Sequence, residues 1–168
     1  PVSGGDVGAK NATLTIMVGG DKEAFENCLH IFKAMGSNIV YQGGAGSGQH
    51  AKMANQIAIS GIISSLCESI IYARSVGLDI ESVLKAISGG AAGSWQMSNM
   101  SQRIIQGDYK PGFYIKHFIK DMKIAKEESE SAGLDLRILK EVLEMYKKLE
   151  NENLGDLGTQ ALIKYYET

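Results

Sequence analysis

The chain of 168 residues suits one or two compact units, and 44% hydrophobic residues are enough for a substantial core. Seventeen Lys and Arg against nineteen Asp and Glu leave a net charge of −2, which gives no electrostatic footprint for nucleic acid or anionic membranes. Cys28 and Cys67 stand apart, in neither a CxxC nor a Cys/His cluster, so disulfide and zinc readings lack support and a reducing cytoplasm is expected.

The opening PVSGG reads as the end of a strand. A second strand is predicted over ATLTIMV, residues 12–18, closed by Gly19 and Gly20. Asp21 is the natural cap of a helix whose apolar residues, Phe25 to Met35, recur at helical spacing until Gly36 stops it. Ile39, Val40 and Tyr41 predict a short strand, which completes a small α/β unit. Its strands lack enough neighbours to stand alone, so an excised piece of a larger sheet is expected.

Composition changes at GGAGSG, residues 43–48, where a domain boundary is expected: 1–43 as the remnant of a dinucleotide-binding α/β domain, 44–168 as an all-helical substrate and dimerisation domain. The helix predicted over residues 47–75 is apolar on nearly all faces and uncharged from Met53 to Cys67. That uncharged run is shorter than the ~20 residues of a bilayer span and carries Asn55, Gln56 and several serines, so a buried core helix is expected and no membrane is implicated. Asp79 caps a short helix, a glycine-rich break precedes Trp95, and helices are predicted at about 94–106, 115–132, 136–150 and 156–166.

The glycine loop fails the GxGxxG test because Gln49 occupies the third glycine position, and no Walker ending follows. Downstream, Lys52, Asn55 and Gln56 fall at i, i+3 and i+4 and therefore share one helix face. An isolated helical lysine is ordinarily a solvated surface group. At the entrance of an apolar helix it can be desolvated enough to exchange a proton near neutrality. His50 and His117 have no spacing to acids or cysteines that makes a metal site, and Trp95 is either a pocket wall or a core or interface aromatic.

PVSGG at Pro1 to Gly5, GSGQHAKMANQ at Gly46 to Gln56 and HFIKDMKIA at His117 to Ala125 closely resemble three motifs of the β-hydroxyacid dehydrogenase family, in the right order along the chain. That family includes 3-hydroxyisobutyrate dehydrogenase, tartronate semialdehyde reductase and glyoxylate or succinic semialdehyde reductase. The resemblance implies NAD or NADP as cofactor, a small 3-hydroxy acid or its semialdehyde as substrate, and no metal. It implies a mainly α fold, a helical bundle around one long buried helix like the C-terminal part of 6-phosphogluconate dehydrogenase, after a small Rossmann-type remnant. It assigns Lys52 as general acid and base, Ser3, Gly4 and Gly5 to the substrate carboxylate, and Asn55 and Gln56 to the substrate. Gln56 stands where some members have Asn. Lys120 is assigned to the cofactor, with Phe118 beside it. The chain is accordingly expected to be a C-terminal portion lacking most of its cofactor domain, inactive by itself, and a homo-oligomer of at least two copies. Two other readings stay open: a non-catalytic helical dimerisation module, and an imine reductase, against which the retained Lys52 argues.

Overall fold

The computed structural model describes residues 1–167, which divide into two compact units, 1–56 and 57–167. The first holds a three-stranded sheet in the order β1-β2-β3. β1 (Val2–Ser3) runs antiparallel to β2 (Leu14–Gly19), with Ser3 opposite Thr15, and β3 (Gly36–Gly43) runs parallel to β2. α1 (Gly5–Lys10) joins β1 to β2, and α2 (Lys22–Lys33) makes the crossover to β3. Asp21 caps α2 as expected, its Oδ1 accepting from the Ala24 amide at 2.8 Å. The opening strand expected at PVSGG thus pairs with β2, and the α/β segment has a first helix, α1, that the apolar pattern did not reveal.

At the end of β2 the backbone meets the start of α3 (Ser47–Ser75). A Cβ on Gly19 would lie 2.6 Å from the Gly48 amide nitrogen and 2.8 Å from the Gly44 carbonyl oxygen. Reciprocally, a Cβ on Gly48 would run into the Met17 carbonyl oxygen. Only two glycines allow this approach. Tyr41 on β3 donates its hydroxyl to the Gly20 carbonyl at 2.8 Å, which pins the turn beside the crossing, and Phe25 of α2 packs its ring 5.3 Å from Tyr41.

α3 continues into the second unit, where Ile63, Leu66, Cys67 and Ile70 are buried. The other elements there are α4 (Ile80–Ile87), α5 (Trp95–Ile105), α6 (Ile115–Ser131), α7 (Arg137–Asn151) and a 3-10 helix (Thr159–Tyr166). Asp79 and Ser94 cap α4 and α5, accepting from Ser82 and Met97 amides at 2.8 and 3.0 Å. α6 and α7 bring together Phe118, Met122, Leu139, Leu143, Tyr146 and Leu149, all shielded from solvent. The buried Tyr146 hydroxyl donates to the Thr159 carbonyl at 2.7 Å, so burying that polar group leaves it satisfied. The last predicted helix is a 3-10 coil over a shorter range. Its first five residues, Thr159 to Ile163, are all buried, and bonds from the Gly158 and Thr159 amides to the Tyr109 and Phe113 carbonyls fix its start. The architecture is the expected one: a small α/β segment followed by a larger helical bundle built around a long, partly buried helix.

Candidate active site

In the first unit, the SGG motif sits at a junction of strand and helix. Ser3 is the last residue of β1 and half-buried, Gly4 precedes α1 with φ +127°, and Gly5 begins α1 with φ +62°. These left-handed values suit glycine, and the absence of side chains leaves the backbone amides exposed beside the serine hydroxyl. Hydroxyl and amide donors of this kind suit a carboxylate.

Lys52, Asn55 and Gln56 lie in the second and third turns of α3, four to eight residues beyond Gly48. Lys52 and Asn55 are half-buried, whereas Gln56 is 1% exposed. The Asn55 Nδ2 donates to Gln56 Oε1 at 2.9 Å, so the two amides act as a pair. His50 is exposed in the first turn of α3. Among the described residues no group of His, Cys, Asp or Glu could hold a metal ion.

In the second unit, Lys120 is exposed on α6 and its ammonium lies 2.9 Å from Asp121, whose carboxylate is nearly buried. Phe118 has no exposed surface; its ring packs edge-on against Tyr146 at 5.3 Å and Phe113 at 6.0 Å. The sequence carried a signal for this, because Ile115, Phe118, Ile119 and Met122 fall on one apolar helical face. Trp95 is 65% exposed at the start of α5 and belongs to no core within the chain. Beside it, Ser94 and Gly93 line a shallow cavity of about 370 Å³ walled by Ile62, Leu66 and Met97. Burial, reinforced by Glu68 and Glu167, pushes the Cys67 thiol up to about 12, which removes it from nucleophilic chemistry.

The crossing of Gly19 and Gly48 is the positional element that reading the sequence missed. Its trace there was the pairing of a glycine-closed strand with a glycine-rich helix start.

For a nicotinamide cofactor and its substrate, the first unit supplies groups that fit the anionic and reacting ends: the Lys52 ammonium, the Ser3 hydroxyl and the amide donors at Gly4 and Gly5. The glycine loop does not carry the GxGxxG spacing, so the fit does not extend to a pyrophosphate fingerprint.

Comparison with known proteins agrees with this anatomy. Residues 46–166 match the family described as "NAD-binding of NADP-dependent 3-hydroxyisobutyrate dehydrogenase", and residues 1–44 match "NAD binding domain of 6-phosphogluconate dehydrogenase". An uncharacterized oxidoreductase of Bacillus subtilis, YkwC, is 54% identical over 166 residues, covering 99% of this chain and 58% of that protein. The 2-hydroxy-3-oxopropionate reductase of Escherichia coli is 35% identical over 99% of this chain and 57% of its own length. Among solved structures, Mycobacterium tuberculosis 3-hydroxyisobutyrate dehydrogenase with L-serine superposes with a TM-score of 0.93 at 27% identity, over 100% of this chain and 60% of that one. Fold and family matches together define the class as proteins with an α/β unit of NAD-binding type followed by a helical bundle. Within that class, the chain belongs to the 3-hydroxyisobutyrate dehydrogenase-like family.

These matches correct one expectation. The likeness is not confined to a C-terminal helical portion: both matched stretches, 1–44 and 46–166, carry NAD-binding descriptions, and relatives align over nearly all of the chain. The physical source of the misreading is the missing GxGxxG run together with strands that looked unpaired, which the β1 pairing and α1 account for. The chain spans a little under three-fifths of the length of the two relatives above.

Proposed function

We propose that the protein interconverts a small 3-hydroxy acid and its semialdehyde with NAD or NADP, using Lys52 as the general acid and base. The observation that carries this reading is the placement of Lys52 and Asn55 on one face of α3, just beyond the point where Gly48 locks the helix start against β2. A proton-transfer group needs such a fixed mount, because catalytic geometry tolerates little displacement.

In reduction, the Lys52 ammonium donates a proton to the carbonyl oxygen; in oxidation, its amine takes that proton from the hydroxyl. The nicotinamide, when bound, supplies or accepts the hydride. Ser3 with the Gly4 and Gly5 amides binds the substrate carboxylate, Asn55 orients substrate and lysine, and Lys120 neutralises the anionic cofactor. The 2-hydroxy-3-oxopropionate reductase and 3-hydroxyisobutyrate dehydrogenase relatives support this substrate class. Exposed Tyr72, Val76 and Leu78, at the end of α3 and just beyond it, support association into at least a dimer, for which a monomer at all concentrations in light scattering is the contrary result.

The test is Lys52→Ala assayed against 3-hydroxyisobutyrate, 2-hydroxy-3-oxopropionate and succinic semialdehyde with each nicotinamide. Turnover on the substrate that the parent protein accepts is expected to fall by about 100- to 10,000-fold with cofactor affinity retained. Near-normal turnover removes Lys52 from the mechanism.

A further inference from the structure

Gln56 combines two features that do not suit a substrate ligand. Its side chain is 1% exposed, and its carbonyl oxygen already accepts from the neighbouring Asn55 amide at 2.9 Å. A primary amide has two chemically opposite ends, and rotating it by half a turn exchanges donor for acceptor at almost no steric cost. A half-buried asparagine on a helix can therefore present the wrong end to a reacting group. Engaging Nδ2 in a bond removes that freedom, because it leaves Oδ1 as the end directed elsewhere.

We propose that Gln56 is a positioning residue: by accepting from Asn55 Nδ2 it fixes the amide of Asn55 so that Oδ1 is the atom offered to the Lys52 ammonium and the substrate hydroxyl. Both of those groups are hydrogen-bond donors, and a lysine ammonium has no acceptor at all, so an oxygen is the end they require. The inference rests on the assignment of Lys52 and Asn55 to proton transfer.

The experiment is a double-mutant cycle with a spectroscopic readout. Gln56→Met keeps the length and removes the acceptor, Gln56→Glu keeps an acceptor oxygen, and Asn55→Ala removes the group acted on. In the cofactor-free protein, the Asn55 side-chain amide is followed by ¹⁵N–¹H NMR, its signals assigned by their loss in Asn55→Ala. Gln56→Met is expected to shift the bonded amide proton upfield and to lower turnover about tenfold with KM little changed, the scale of one hydrogen bond between uncharged groups. Gln56→Glu is expected to retain the downfield proton. In the Asn55→Ala background, Gln56→Met is expected to cost nothing further. An unmoved Asn55 amide signal, or the same loss of turnover with and without Asn55, overturns the proposal. If Gln56→Met does not fold, the signal in Gln56→Glu decides: loss of the downfield proton there refutes it. Full activity of Lys52→Ala would defeat the catalytic assignment instead, and is read from a different variant.

Discussion

Adding one methyl group at Gly19 tests how α3 is mounted. The Cβ of Gly19→Ala would lie 2.6 Å from the Gly48 nitrogen, 2.8 Å from the Gly44 oxygen and 3.0 Å from the Ser47 nitrogen, all backbone atoms that cannot rotate away. Ordinary contact begins near 3.4 Å, so strand and helix start must separate by about 0.8 Å along the shortest of these lines. Overpacking of this kind costs about 1–3 kcal/mol. Lys52 rides on the same helix one turn further on, and a displacement near 1 Å at a reacting group lowers turnover by about 100-fold. Turnover and thermal unfolding are measured together, with Gly44→Ala as the control, since a Cβ there meets nothing within 4 Å. The expected pattern is a destabilised, slow Gly19→Ala beside a near-normal Gly44→Ala. A Gly19→Ala protein that turns over normally would refute the mounting argument, even if its stability fell.

Two further outcomes follow from the helical unit. Gln160, 1% exposed, donates from Nε2 to the Asp108 and Lys110 carbonyls at 3.0 Å each; the Lys110 carbonyl keeps its 2.6 Å bond from Arg103, so Gln160→Ala removes two bonds but strands one acceptor, and is expected to cost about 1–3 kcal/mol in chemical denaturation. A loss below about 0.5 kcal/mol would mean that water replaces both bonds. Cys67, with its folded-state thiol raised to about 12, is expected to resist alkylation at pH 8 while the half-buried Cys28 reacts, and to become reactive only on unfolding, where its pKa returns to the ordinary range. Rapid labelling of Cys67 in the native protein is the contrary result.

Much of this architecture was legible in the amino-acid order because local chemistry decides it. Asp21, Asp79 and Ser94 each precede an apolar periodic run, and each makes the bond to the third amide beyond it that defines a helix start. α1 escaped because GDVGAK has two glycines and a single large apolar residue, and it is held by its place between β1 and β2. The coil over residues 159–166 was read as α-helical because its contacts to Tyr109, Phe113 and Tyr146 are distant in sequence. At the site, shared helix face grouped Lys52 with Asn55 and Gln56, but the pairing of the two amides depends on side-chain rotamers that periodicity does not encode. Phe118 was drawn toward the cofactor by its neighbour Lys120, although its apolar spacing already placed it inside.

The composition of α3 has a consequence for the protein's life outside the native state. Among the described residues it is the one helix long and apolar enough to cross a membrane, and Met53 to Cys67 carries no charge. What keeps this stretch from sticking to other chains is the packing of its buried positions, not its own polarity. Once the bundle loosens, an uncharged surface several turns long is uncovered, and collision with a second unfolded chain competes with refolding. Variants that weaken the bundle would therefore be counted as protein lost from the soluble fraction, and heating would inactivate them at a rate that rises with concentration.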